Sequence, residues 1–124
     1  MINNEKYFWT KHSQYKMRYY GLSPQRIKRI IRHPARTEEA IIPKMIAAMQ
    51  PAGLATEALA KAAGKSYSEI WTIYQFAKRT DTKYKILNTK YSQIKVITAW
   101  RYPGKSPVHN PIPQDILNEI KSII

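Results

Sequence analysis

His12 and Lys16 stand four residues apart in "HSQYKMRYYGLS", a spacing that sets both side chains on one face of a helix. An imidazole there can serve as a general acid or base near neutral pH. An ammonium one turn away can hold a phosphate or bias the ring toward its neutral form. A lone histidine that merely bonds a carbonyl is the competing explanation, so the surroundings matter. Residues 12–36 contain two His, seven Lys or Arg, and no Asp or Glu. Self-repulsion in such a segment costs stability, which points to a polyanionic partner.

The charge is unevenly spread along the chain. Residues 1–36 carry a net +8, residues 37–81 are balanced, and residues 82–124 carry a net +5, within a total of +13. If the fold joins the two ends, they form one electropositive surface suited to phosphates, with affinity that falls steeply with salt. A generally basic, solvated exterior would give the same totals.

Composition limits the alternatives. A chain of 124 residues with 44% hydrophobic content, three Trp and nine Tyr can bury a core, and residues 1–124 read as a single domain. The absence of cysteine excludes disulfides, thiolate zinc sites and cysteine nucleophiles, and it suits a reducing cytosol. The N-terminal "MINNEKYFWTKH" has no signal-peptide core, and no apolar run is long enough to span a bilayer. The expectation is a soluble, cytoplasmic protein without a membrane partner.

The elements that must position these residues begin with two helices. Thr10 can cap a first helix that runs to about Tyr20, with Gly21 as its left-handed stop. In "GLSPQRIKRIIRHP", Ser23 is a good N-cap, Pro24 suits the first helical position, Leu22 can staple onto Ile27, and Pro34 ends the helix. Ile27, Ile30 and Ile31 form the apolar stripe, so Arg26, Lys28, Arg29 and Arg32 project from the other sides.

Beyond residue 40 the pattern becomes strand-like. "MIAAMQ" (45–50), "EIWTIYQF" (69–76), "YKILN" (84–88) and "IKVITAWRY" (94–102) are short, β-branched or aromatic, and bounded by turn residues. Regular alternation in the last puts Ile94, Val96, Thr98 and Trp100 on one face and Lys95, Ile97, Ala99 and Arg101 on the other. A Pro-rich loop follows, then a closing helix in "PQDILNEIKSII" with Ile116, Leu117, Ile120 and Ile124 on one side.

The alanine-rich segment 51–68 is open to two interpretations. One is a short helix capped by Thr56 and stopped at Gly64. The other is a helix-turn-helix over residues 55–76, with Ala60 at the close-packed site and Gly64 in the turn. Its second helix would offer Lys65, Tyr67, Ser68 and Trp71 to a major groove.

"HSQYKMRYYGLS" resembles the opening signature of a group of small bacterial proteins that includes the BrnT toxins and related domains of unknown function. That signature runs approximately His, three residues, Arg, Met, two residues, Arg, Gly, Ile, Ser. His12, Met17, Gly21 and Ser23 match, Leu22 stands in for Ile, Lys16 for the first Arg and Tyr20 for the second. "IKVITAWRYPG" (94–104) likewise resembles the terminal strand of the group, a basic residue before a β-branched run, Ser or Thr, Ala and Arg. The resemblance to this RelE/BrnT-like superfamily implies a compact α+β fold, with N-terminal helices beside a small antiparallel sheet. It also implies metal-independent RNA cleavage without a cofactor. RNA, a cognate antitoxin and the ribosome are the implied partners. By position, His12, Lys16, Thr98 and Arg101 are the implied site residues.

The bottom-up chemistry is compatible with that implication. Metal-independent RNA cleavage needs a base, an acid for the leaving oxygen and cations for the developing charge. Lys95 and Arg101 share a strand face in regular alternation, while Tyr102, Lys105 and His109 follow toward the loop. Aromatic residues among cations suit the stacking of single-stranded bases, although Tyr19, Tyr20 and Trp100 equally suit a core.

The expected architecture is α+β: two N-terminal helices on a small antiparallel sheet of about four strands, with a short C-terminal helix. The expected function is a toxin-type, metal-independent ribonuclease. His12 would be acid or base, Lys16 and Arg101 phosphate stabilisers, and Thr98 and Tyr102 substrate positioners. Arg18, Arg26, Arg29, Arg32, Lys95, Lys105 and His109 would contact RNA. The alternative is a non-catalytic nucleic-acid-binding module, the helix-turn-helix included. A module that binds an acidic protein is a third option. A metal-dependent nuclease would rest on Glu69 and "DTK" (81–83), and no other metal spacing is present.

Overall fold

Thr10 shows how one residue links local and long-range structure. Its hydroxyl oxygen accepts from Ser13 N at 3.0 Å and caps a helix, α1 (Lys11–Tyr20). The same hydroxyl donates to the carbonyls of Val96 and Ile97, at 3.0 and 3.2 Å. Gly21 ends α1 in the left-handed region, at φ 67°, which a glycine adopts without Cβ strain. Ser23 then accepts from Arg26 N at 3.1 Å and starts α2 (Pro24–Arg32), with Pro24 at its first turn. Ile27 and Ile30 are fully buried, so the arginines of α2 are turned away from the core.

The computed structural model describes residues 6–40, 44–53, 56–78, 92–107 and 112–123. Besides α1 and α2 it contains β1 (Tyr7–Trp9), β2 (Arg36–Glu39), β3 (Met45–Pro51), α3 (Glu57–Ala62), β4 (Ser68–Lys78), β5 (Ser92–Pro103) and α4 (Gln114–Ile123). The strands form one sheet in the order β1-β5-β4-β3-β2. The class is α+β, but the sheet has five strands and is mixed, because β1 runs parallel to β5 while the other pairs are antiparallel.

Both unforeseen strands are too short to show a periodic pattern. β1 is three aromatic residues that end against a helix cap, and β2 is "RTEE", which has no apolar face. β1 is composed of strand formers but is too short to show a period, and β2 gains its strand geometry from pairing with β3, a long-range effect that local propensity does not carry. The expected strand at 84–88 lies outside the described residues.

The helix-turn-helix is overturned. Residues 68–78 form β4, hydrogen-bonded on both sides to β3 and β5, and Trp71 and Ile73 are fully buried. The run of β-branched and aromatic residues that fits a central strand leaves no recognition helix. Only the short capped helix of the other interpretation forms, with Thr56 accepting from Leu59 N.

The alternation expected along β5 also fails, at one residue. Tyr74 pairs with Val96 while its neighbour Ile73 pairs with Thr98, so Ile97 is an extra residue in β5, a β-bulge. Past it the faces exchange. Ile94, Val96, Ala99 and Arg101 share one face, and Lys95, Thr98, Trp100 and Tyr102 share the other.

Each face has its own core. On the first, Ile94, Val96, Ala99, Ile70 and Tyr74 pack with Met17, Leu22, Ile27 and Ile30 of the α1–α2 side. On the second, Met45, Met49, Trp71, Ile73, Ile97 and Trp100 pack beneath Ile116 and Ile120 of α4. Full burial of an Ile stabilises by about 1.5–3 kcal/mol, so a bulge that buries Ile97 on the α4 side contributes to the second core. The Trp71 and Trp100 rings stack at 5.9 Å. Among the described residues no helix is long and apolar enough to cross a membrane.

A buried carboxylate pins the loop after β5. Glu69 is fully buried and accepts from Trp71 Nε1 at 2.9 Å, Ser106 N at 3.2 Å, Ser106 Oγ at 2.6 Å and Tyr67 Oη at 3.2 Å. Arg36 lies 3.9 Å away and also donates to the carbonyls of Ser106 and Pro107. These donors offset the desolvation of the charge and occupy Glu69 structurally.

Candidate nucleic-acid interface

On the outer side of α2, Arg26, Arg29 and His33 recur at helical spacing toward the end of β3. Arg26 is half-buried and donates from Nη1 to Gln50 Oε1 and from Nη2 to Pro51 O, the latter at 2.8 Å. Gln50 in turn donates from Nε2 to Arg29 O at 3.3 Å and His33 O at 2.7 Å. One glutamine therefore fixes the guanidinium and also donates to two carbonyls at the end of the helix.

An open pocket of about 440 Å³ lies here, lined by Arg26, Arg29, His33, Ala35, Gln50, Pro51, Ala52 and Gly53. No carboxylate among the described residues lines it. Burial, and then the charges of Arg29 and Arg101, lower the pKa of Arg26 below the ordinary arginine value. Arg29 and Arg101 thus each stand close enough to repel the Arg26 charge. Arg101 reaches this side because the bulge turned it there, and its Nε donates to Tyr20 O at 3.0 Å.

A second polar cluster lies between α1 and α4. Lys16 Nζ meets Glu119 Oε1 at 2.9 Å, and His12 Nε2 lies 3.4 Å from Glu119 Oε2. The Lys16 ammonium is also 5.6 Å from the ring centroids of both Tyr19 and Tyr20. Burial acts to lower the Lys16 pKa, but the hydrogen bond and charge of Glu119, with smaller contributions from Tyr20 and Asp115, outweigh it and leave the group raised. The same burial raises the Tyr20 phenol, against the opposing charge of Lys16.

The buried side-chain atoms without a hydrogen-bond partner among the described residues are His12 Nε2, Thr98 Oγ1, Trp100 Nε1 and Glu119 Oε2. All four belong to α1, β5 and α4. Thr98 and Trp100 point to the face that α4 covers, where Trp100 packs with Ile116 and Ile120 on either side of Glu119. An imidazole, a carboxylate and an ammonium in this arrangement have the means to exchange a proton.

The residues expected to act together are therefore divided. His12 and Lys16 meet through Glu119, and Thr98 and Tyr102 lie on the α4 side of the sheet, Thr98 fully buried and Tyr102 half-buried. Arg101 lies on the opposite face. Lys95, expected beside Arg101, is on the α4 side, a correction that follows from the same bulge. Arg18, Arg32 and Lys105 are exposed, and His109 lies outside the described residues. Of the metal-nuclease pattern, Glu69 is held in its structural network, and residues 81–83 lie outside the described residues. Among the described residues no group of three or more His, Asp or Glu is placed to hold a metal ion.

Sequence reasoning missed Glu119 and Gln50. Glu119 carried one faint signal, as one of only two acidic residues in the basic segment 82–124. Gln50 carried none, being a polar residue at a strand end. Comparisons with protein-family models, curated proteins and solved structures find no match.

Proposed function

We propose that the chain is a nucleic-acid-binding domain whose ligand is RNA, held by the arginine face of α2 and β5. The observation that carries this reading is an open pocket lined by Arg26 and Arg29, with no carboxylate among the described residues that line it and with Arg101 close enough to repel the Arg26 charge. Repulsion among clustered guanidiniums is relieved by a polyanion, and their planar donors match phosphate oxygens. Exposed Tyr15 and Tyr19, with rings 3° from parallel on α1, add aromatic surface of the kind on which bases stack.

A second reading keeps the RNA and adds metal-independent cleavage of the RelE/BrnT type. It is favoured by the approach of Glu119 to within 3.4 Å of His12 beside Lys16, since a carboxylate next to an imidazole is a recurrent acid–base device. In that reading Thr98 and Tyr102 position substrate, an antitoxin covers the basic face, and the ribosome is a further partner.

Labelled single-stranded RNA in EDTA, incubated with wild type and His12→Ala, separates the two. Salt-sensitive binding by both proteins without cleavage is the expected result. Cleavage by wild type alone would establish the second reading, and failure of wild type to bind RNA at low salt would remove both.

A further inference from the structure

The pocket beside α2 has features beyond a general basic surface. Arg26 uses one N–H of Nη1 and one of Nη2 on Gln50 and Pro51. A guanidinium has five N–H donors, so three remain for a ligand, from a group already fixed in place. Gln50 engages the carbonyls of Arg29 and His33, whose partial negative charge at the end of α2 would otherwise oppose an anion. Among the described residues the Arg29 side chain makes no hydrogen bond or ion pair, and both Arg29 and His33 are exposed at the mouth.

We propose that this pocket receives a terminal phosphate of RNA, a phosphomonoester together with its nucleoside. The inference rests on the RNA-binding reading and adds which part of the RNA is held here. A phosphomonoester carries about −1.5 to −2 near pH 7, whereas each in-chain phosphodiester carries a single charge. Clustered guanidiniums that repel one another gain most from the ligand with the greatest charge at one point. The volume of about 440 Å³ lies within the range of sites for small molecules, which leaves room for a nucleoside beyond the phosphate. The methyl side chains of Ala35 and Ala52 and the bare Cα of Gly53 leave that space clear.

The test is fluorescence anisotropy with the full chain in EDTA, using one labelled single-stranded RNA in three forms: unphosphorylated, 5′-phosphorylated and 3′-phosphorylated. One phosphorylated form should bind at least tenfold more tightly, and the form that gains identifies the end. Arg29→Gln, at an exposed position and with its fold verified by circular dichroism, should bring all three forms to one affinity, below that of wild type for the unphosphorylated RNA. Equal affinity for all three forms would overturn the terminal-phosphate site and leave RNA binding intact. A gain unaffected by Arg29→Gln would also overturn it, since the phosphate would then sit elsewhere. If none of the RNAs bind, both readings fall, and a parallel calorimetric titration with adenosine monophosphate shows whether a mononucleotide site exists without RNA.

Discussion

Glu119 neutralises Lys16 and approaches His12, so the first residues that suggested chemistry are joined by one the sequence did not single out. Glu119→Gln should cost about 1–3 kcal/mol at pH 7, because it withdraws the counter-charge from a buried ammonium. The pH dependence follows from the raised Lys16 pKa. The folded state holds this proton more tightly than the unfolded state. The contribution is therefore complete below the ordinary lysine value of about 10.4 and fades as pH rises through the higher folded value. Burial also raises the Tyr20 and Tyr74 phenols, which adds alkaline destabilisation that for Tyr74 is common to both proteins. Urea unfolding of wild type and Glu119→Gln from pH 7 to 11 should show their stability gap closing at the alkaline end. A gap constant with pH would exclude this pairing. His12 and Lys16 were legible because helical spacing is local, whereas the pairing with Glu119 exists only once α4 has packed across the sheet.

At the scale of elements, caps were the most legible features, since a cap is a local hydrogen bond between a side chain and a helix end. Ser23 and Thr10 both cap helices, but Thr10 also bonds the carbonyls of Val96 and Ile97 on β5. Ser23→Ala should lower stability by about 1 kcal/mol, and Thr10→Ala by more, about 2 kcal/mol. Urea midpoints of the two variants measure the difference, and equal effects would mean that the bonds to β5 add nothing. The strands were less legible. β4 and β5 declared themselves through β-branched and aromatic runs and β3 through a short apolar run, while β1 has only three residues and β2 has no apolar face. The bulge at Ile97 was invisible because it depends on how β4 and β5 pair, and one extra residue reverses every side chain beyond it.

For the whole molecule, that reversal divides the cations between two sides of the sheet. Arg101 stands with Arg26 and Arg29, and Lys95 stands across from them on the α4 side. The salt dependence of RNA binding should follow the division. For a single strand, the slope of log affinity against log salt has a magnitude of about 0.7 per phosphate neutralised by the protein. Arg29→Gln combined with Arg101→Gln removes two such cations and should lower that magnitude by about 1.4, and Lys95→Gln should leave it unchanged. Anisotropy titrations at several salt concentrations measure this, and an equal effect from Lys95→Gln would refute a single binding face. The sequence by itself determined the α+β composition, the capped helices, three of the strands and the excess of positive charge at both ends, because propensity, capping and composition act over a few residues. Only the tertiary structure decided which cations share a face, that Glu119 joins His12 and Lys16, and that Arg101 turns to α2. Those outcomes depend on strand register and helix packing between distant segments, which local spacing does not contain.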